Sequence, residues 1–204
     1  FERAMTMQPV RIILWALVAL ALAAFAFLML RPVNEMPTQQ QPLAISSIGG
    51  PFTLTGSDGE PFSSTELAGK PYAIFFGFTN CPDVCPLTLG RMVKLRKELQ
   101  SGDRPFEILF VTVDPERDGP ADVGKYAELF NSPVTGLTGS PAQIDQVKKQ
   151  FGIFSQKVPD SSRGYSVDHT ATVLLFDRNG DFSGTISPEE GNKAALAKLK
   201  RITA

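Results

Sequence analysis

The stretch Tyr72-Ala73-Ile74-Phe75-Phe76-Gly77-Phe78-Thr79-Asn80-Cys81-Pro82-Asp83-Val84-Cys85-Pro86 holds both cysteines of the 204-residue chain, four positions apart, directly after an apolar run. Tyr72–Phe78 carries no charge and is too short for a helix, so it reads as a buried central strand. Each cysteine precedes a proline, which pushes it out of the α region and predicts that neither lies inside a helix. After Pro86, the apolar positions Leu89, Met92, Val93, Leu95 and Leu99 sit among Arg91, Lys94, Arg96, Lys97 and Glu98, which predicts an amphipathic helix over Leu87–Gln100 with Pro86 first and Cys85 as its N-cap. A thiol beside a helix N-terminus is easier to ionise, so Cys85 or Cys81 is expected to be the more acidic of the two. Two thiols this close can form a disulfide, hold a soft metal ion or exchange with a partner's disulfide.

Outward from this stretch, strands and helices alternate. A short hairpin is predicted over Phe52–Phe62, a strand over Phe106–Val113, a helix over Ala121–Phe130, a short strand over Val134–Leu137, a helix over Ser140–Phe151 and an edge segment over Ile153–Val158. Val173–Phe176 and Asp181–Ile186 flank the turn Asp177-Arg178-Asn179-Gly180, and Asn192–Thr203 reads as a closing helix. This order predicts an α/β fold, a mixed central sheet flanked by helices, with the cysteines in a strand-to-helix loop where such folds place their chemistry.

Residues Ile12–Leu30 form 19 consecutive apolar residues; as a helix they rise about 28 Å, enough to cross a bilayer once. Arg3 and Arg11 before the run bias residues 1–11 to the cytoplasmic side and the later domain to the exported side. The alternative is a cleaved signal peptide, for which Ala24-Phe25-Ala26 has the right form. Pro, Gln, Ser and Gly dominate residues 31–50, as in a flexible linker, leaving residues 51–204 as one globular domain. The formal net charge of -1 argues against a nucleic-acid partner.

His169, the single histidine, lies in Ser166-Val167-Asp168-His169-Thr170 and is predicted to occupy a polar turn before the Val173–Phe176 strand. Two thiolates and one imidazole are too few for a closed zinc site, which takes four ligands, and suit a soft ion such as Cu(I), or Cu(II) with one further ligand. Asp114-Pro115-Glu116-Arg117-Asp118 reads as a solvated charged turn.

Four ordered motifs resemble the Sco (SenC) family of copper chaperones: Gly77–Pro86, Val111–Asp118, Gly136–Gly139 and Val167–Thr170. The resemblance implies a thioredoxin-like fold behind one N-terminal transmembrane helix. It implies a metallochaperone, not an enzyme, in the cell inner membrane with its domain in the periplasm. Copper would pass from a donor protein or pool to the CuA centre of cytochrome c oxidase subunit II. By position, Cys81, Cys85 and His169 match the copper ligands, and Cys81 and Cys85 also a redox-active disulfide. Asp114, with Asp168 beside the histidine, would support the site. The alternative is a membrane-anchored thiol–disulfide reductase that keeps acceptor cysteines reduced and needs no copper.

Overall fold

The strand expected at Tyr72 forms over Tyr72–Gly77 with all six residues buried, and the rest of the domain is built around it. The computed structural model describes residues 7–30, 48–99, 105–162 and 164–204, so residues 1–6 and most of the linker lie outside the described residues. Contacts divide the chain into two units, Phe1–Pro42 and Leu43–Ala204. The first contains α1 (Met7–Leu30), whose described large side chains, among them Ile12, Trp15 and Leu20, are exposed. Among the described residues no helix is long and apolar enough to cross a membrane. Where the sequence predicts a transmembrane helix, the chain forms the 24-residue helix α1.

The second unit runs β1 (Thr53–Gly56), β2 (Pro61–Ser63), a single 3-10 turn (Ser64–Leu67), β3 (Tyr72–Gly77), α2 (Val84–Glu98), β4 (Glu107–Thr112), α3 (Pro120–Glu128) and β5 (Thr135–Thr138). It continues through α4 (Pro141–Phe151), β6 (Ser155–Asp160), β7 (Gly164–His169), β8 (Val173–Phe176), β9 (Phe182–Ile186) and α5 (Asn192–Thr203). Seven strands form one mixed sheet in the order β2-β1-β5-β4-β3-β8-β9, in which β3, β4 and β5 run parallel and the other pairings are antiparallel. The parallel pairs need helical crossovers, supplied by α2 and α3, and burial on both faces explains why β3 and β4 lack polar–apolar alternation.

Phenylalanines fill the core. Phe76 and Phe176 each pack at 5.6 Å against Phe151, and Phe176 stacks on Tyr72 at 4.6 Å. α4 is delimited as its sequence dictates: Ser140 and Gln143 form a capping box, and Gly152 closes the helix at φ 67°.

Three departures have local causes. α2 starts at Val84 with Asp83 as its N-cap, so Cys85 lies in the first helical turn and not at the cap. The first-turn N–H groups lack intrahelical acceptors, so Pro86 costs no hydrogen bond there; the N–H of Cys85 instead reaches Cys81 Sγ at 3.4 Å. Arg96, predicted on the solvated face, is 3% exposed because it donates to Ser132 Oγ and to the carbonyl of Pro133. The Ile153–Val158 segment does not edge the main sheet: β6 pairs with β7 in a separate hairpin, and His169 ends β7 instead of occupying a turn.

Candidate metal site

At Gly77 the chain leaves the sheet; its carbonyl still accepts the Val113 N–H at 2.7 Å, and the Cys81 N–H then closes a turn onto the carbonyl of Phe78 at 3.2 Å. This turn carries Cys81 to a half-buried position while α2 draws Cys85 fully inside. The two sulfurs are not bonded to each other.

The floor beneath Cys85 is Gly77. A β-carbon there would lie 2.8 Å from Cys85 Sγ, 3.0 Å from Phe75 and 3.1 Å from Phe110. A Gly77→Ala variant is expected to destabilise the reduced domain by about 1–3 kcal/mol, the cost of overpacking a filled core. Urea denaturation under reducing conditions measures this, and a variant as stable as the parent would show that the floor yields.

His169 approaches from β7, its Nε2 3.6 Å from Cys85 Sγ and its Nδ1 3.1 Å from the carbonyl of Val167. A carbonyl only accepts, so Nδ1 carries the proton, and in the neutral ring the lone pair of Nε2 faces the sulfur. The edges of Phe75 and Phe78 wall the imidazole at 6.2 and 5.6 Å.

The thiols ionise unequally. Cys81 is held down to about 5, first by a hydrogen bond from the Cys85 thiol, then by the backbone N–H groups of Asp83 and Cys85, against the opposing effect of burial. Cys85 is pushed far up, first by holding that shared proton and then by burial. Of the two cysteines left open by the sequence, Cys81 is thus the acidic one. Iodoacetamide labelling of Cys81 is expected to reach its plateau by about pH 7, since only the thiolate reacts, with Cys85 unlabelled. A Cys81 rate still climbing above about pH 8, as for a free thiol, would contradict this.

Cys85 and His169 are therefore brought together, with Cys81 against Cys85. Among the described residues no group of three His, Cys, Asp or Glu side chains already converges tightly enough to hold a metal ion. Asp114 is buried and accepts a hydrogen bond from Tyr165 Oη at 2.9 Å, so it contacts the hairpin that bears His169. Asp168 does not join the site. Alternation along β7 puts Val167 and His169 on one face and Asp168, exposed, on the other.

Residues missed by sequence reasoning are Gly77, Thr79, Thr112 and Asp118. The Asp118 carboxylate, fully buried, accepts hydrogen bonds from Thr79 N, Thr79 Oγ1 and Thr112 Oγ1 at 2.9, 2.5 and 2.6 Å. The available signals were a glycine ending an otherwise bulky strand just before the cysteines, and a second aspartate placed directly before the Gly119-Pro120 helix start.

A SCO1/SenC family model matches residues 40–204. The chain belongs to the SCO1/SenC family. A SCO2-like protein of Rickettsia felis is 36% identical over 155 residues, covering 75% of this chain and 76% of that protein. Bradyrhizobium japonicum ScoI, solved with copper bound, is 39% identical with a TM-score of 0.69, over 76% of this chain and 99% of that chain. BsSco, described as a member of the Sco family of cytochrome c oxidase assembly proteins with a disulfide switch, is 25% identical with a TM-score of 0.60, over 76% and 92%. The mixed-sheet α/β architecture of this chain is thus the one adopted by Sco proteins, the thioredoxin-like arrangement that the motifs imply.

Proposed function

We propose that this SCO1/SenC chain is a metallochaperone that captures copper with Cys81, Cys85 and His169 and hands it to the CuA centre of cytochrome c oxidase subunit II. The observation that carries the reading is the 3.6 Å approach of His169 Nε2 to Cys85 Sγ, across 84 residues of sequence, with the opposite ring nitrogen occupied by Val167. Soft thiolates favour Cu(I), and three ligands leave the ion accessible for transfer; Cu(II) needs a fourth donor. Cys81 is already ionised at neutral pH, so binding expels one proton, from Cys85, and copper affinity rises with pH. A donor protein or pool would load the site. Copper-bound ScoI and the oxidase-assembly role described for BsSco support cargo and destination.

A second reading is favoured by the split between the two thiols. Cys81 thiolate attacks a disulfide of the acceptor, forming a mixed disulfide and releasing one acceptor thiolate. Cys85, giving up its proton, then attacks Cys81 sulfur and releases the second. Cys81 and Cys85 end as a disulfide, two electrons having passed to the acceptor. This would prepare acceptor cysteines for copper, or act without it.

The apolar run Ile12–Leu30 is proposed as the anchor that holds residues 51–204 on the periplasmic face of the inner membrane. Its support is the charge-free apolar sequence of this run and the exposed apolar side chains of Ile12, Trp15 and Leu20. Anaerobic titration of the reduced chain with Cu(I) against a chromophoric chelator tests the main reading. One ion per chain, held more tightly as pH rises, is expected; no retention against the chelator would refute it.

A further inference from the structure

The turn Asp114–Asp118, read from sequence as a solvated charged loop, reaches both halves of the site. We propose that Arg117 and Asp118 are positioning residues: Asp118 fixes the cysteine turn, Arg117 fixes the histidine hairpin, and their adjacency in the chain sets the spacing between thiols and imidazole. This deepens the copper reading and rests on it.

The Asp118 arm is a carboxylate with no exposed surface and, among the described residues, no ion pair. A buried charge of this kind is tolerated only when hydrogen bonds replace its water. Three donors do so, two of them from Thr79, two residues ahead of Cys81. The carbonyl of Asp118 also accepts from Thr138 Oγ1 at 2.7 Å, tying this arm to β5.

The Arg117 arm reaches the hairpin, which among the described residues shares no strand pairing with the main sheet, so side chains contribute to its placement. Arg117 Nε donates to Asp114 Oδ2 at 2.5 Å and Nη1 to the carbonyl of Tyr165 at 3.0 Å. Its guanidinium lies 3.7 Å from the centre of the Tyr165 ring and 5.9 Å from that of Phe78, the same Phe78 that walls His169. Tyr165 returns a hydrogen bond to Asp114, so Asp114, Arg117 and Tyr165 form a closed clasp four residues before His169. A planar fork that also stacks is a task lysine cannot perform. Because consecutive Cα atoms are about 3.8 Å apart, neither arm shifts without the other unless the turn itself deforms.

The test compares Asp118→Asn, Asp118→Ala, Arg117→Lys and Arg117→Ala in the full chain, by amide hydrogen exchange without metal and by copper affinity and Cu(II)–thiolate absorption with it. Asp118→Ala is expected to expose the Thr79 amide and leave Tyr165–His169 protected; Arg117→Ala does the reverse. Each lowers copper affinity by about 10–100-fold, the usual effect of losing a group that orients a ligand, and shifts the absorption band. Asp118→Asn, which keeps an acceptor oxygen, restores part of the affinity, whereas Arg117→Lys restores none. An arm released in exchange with unchanged copper affinity and spectrum overturns the proposal. If an alanine variant fails to fold, the two conservative variants decide by the same criteria. If the parent chain binds no copper, the copper reading falls and the brace is judged by exchange alone: an unchanged Thr79 amide in Asp118→Ala overturns it.

Discussion

His169→Ala is expected to weaken copper binding by more than about 100-fold, beyond the range for loss of a merely orienting group, while Cys81 labels with iodoacetamide at nearly its parental rate. The asymmetry follows from where the imidazole acts. Its Nε2 faces the buried sulfur and in the proposed site would supply one of three donors, whereas the acidity of Cys81 derives first from the Cys85 thiol, with His169 the smallest contributor. The ring sits on the hairpin and is partly exposed, so its removal leaves the Phe75, Phe76 and Phe110 core intact. Competition with a Cu(I) chelator reads the affinity, and mass spectrometry of labelled peptides reads the thiol. Unchanged copper affinity would favour the copper-independent reductase.

Closing the Cys81–Cys85 bond is expected to abolish copper binding altogether, since oxidation consumes both thiolates at once. The effect on the fold is smaller: a disulfide closing so short a loop contributes roughly 2 kcal/mol on chain-entropy grounds, a shift of a few degrees in Tm. A redox site and an inert structural staple therefore part ways. The redox reading predicts that the reduced chain keeps its fold, loses copper on mild oxidation and regains it on reduction. Differential scanning calorimetry paired with copper analysis of the two forms makes the comparison; a reduced chain that unfolds at working temperature would identify the bond as structural.

Legibility from the sequence divided along physical lines. β3 was readable because a charge-free run between Pro71 and the cysteines admits little besides a doubly covered strand, and α4 because Ser140 and Gly152 act through neighbours a few residues away. The approach of His169 to Cys85 was legible only through resemblance to other sequences. Periodicity gave no sign of it, since β6 and β7 are mostly partly exposed and include Pro159, so the hairpin that carries His169 lacks a strand's apolar signature. The helical placement of Cys85 was hidden by the preference of a residue before proline for extended backbone, which is a bias and not a bar. Asp118 escaped because its partner Thr79 lies 39 residues away, and no local pattern separates a buried aspartate from a solvated one. Gly77 escaped for a related reason: the space it leaves is filled by Cys85 Sγ, a contact made only after the strand and helix pack.

Extended X-ray absorption at the copper edge of the reduced, copper-loaded chain measures the ligand set itself. Two sulfur scatterers and one imidazole nitrogen around a single copper are expected, with the imidazole signal absent in His169→Ala. A parent spectrum containing sulfur alone, or one unchanged by that substitution, would contradict it.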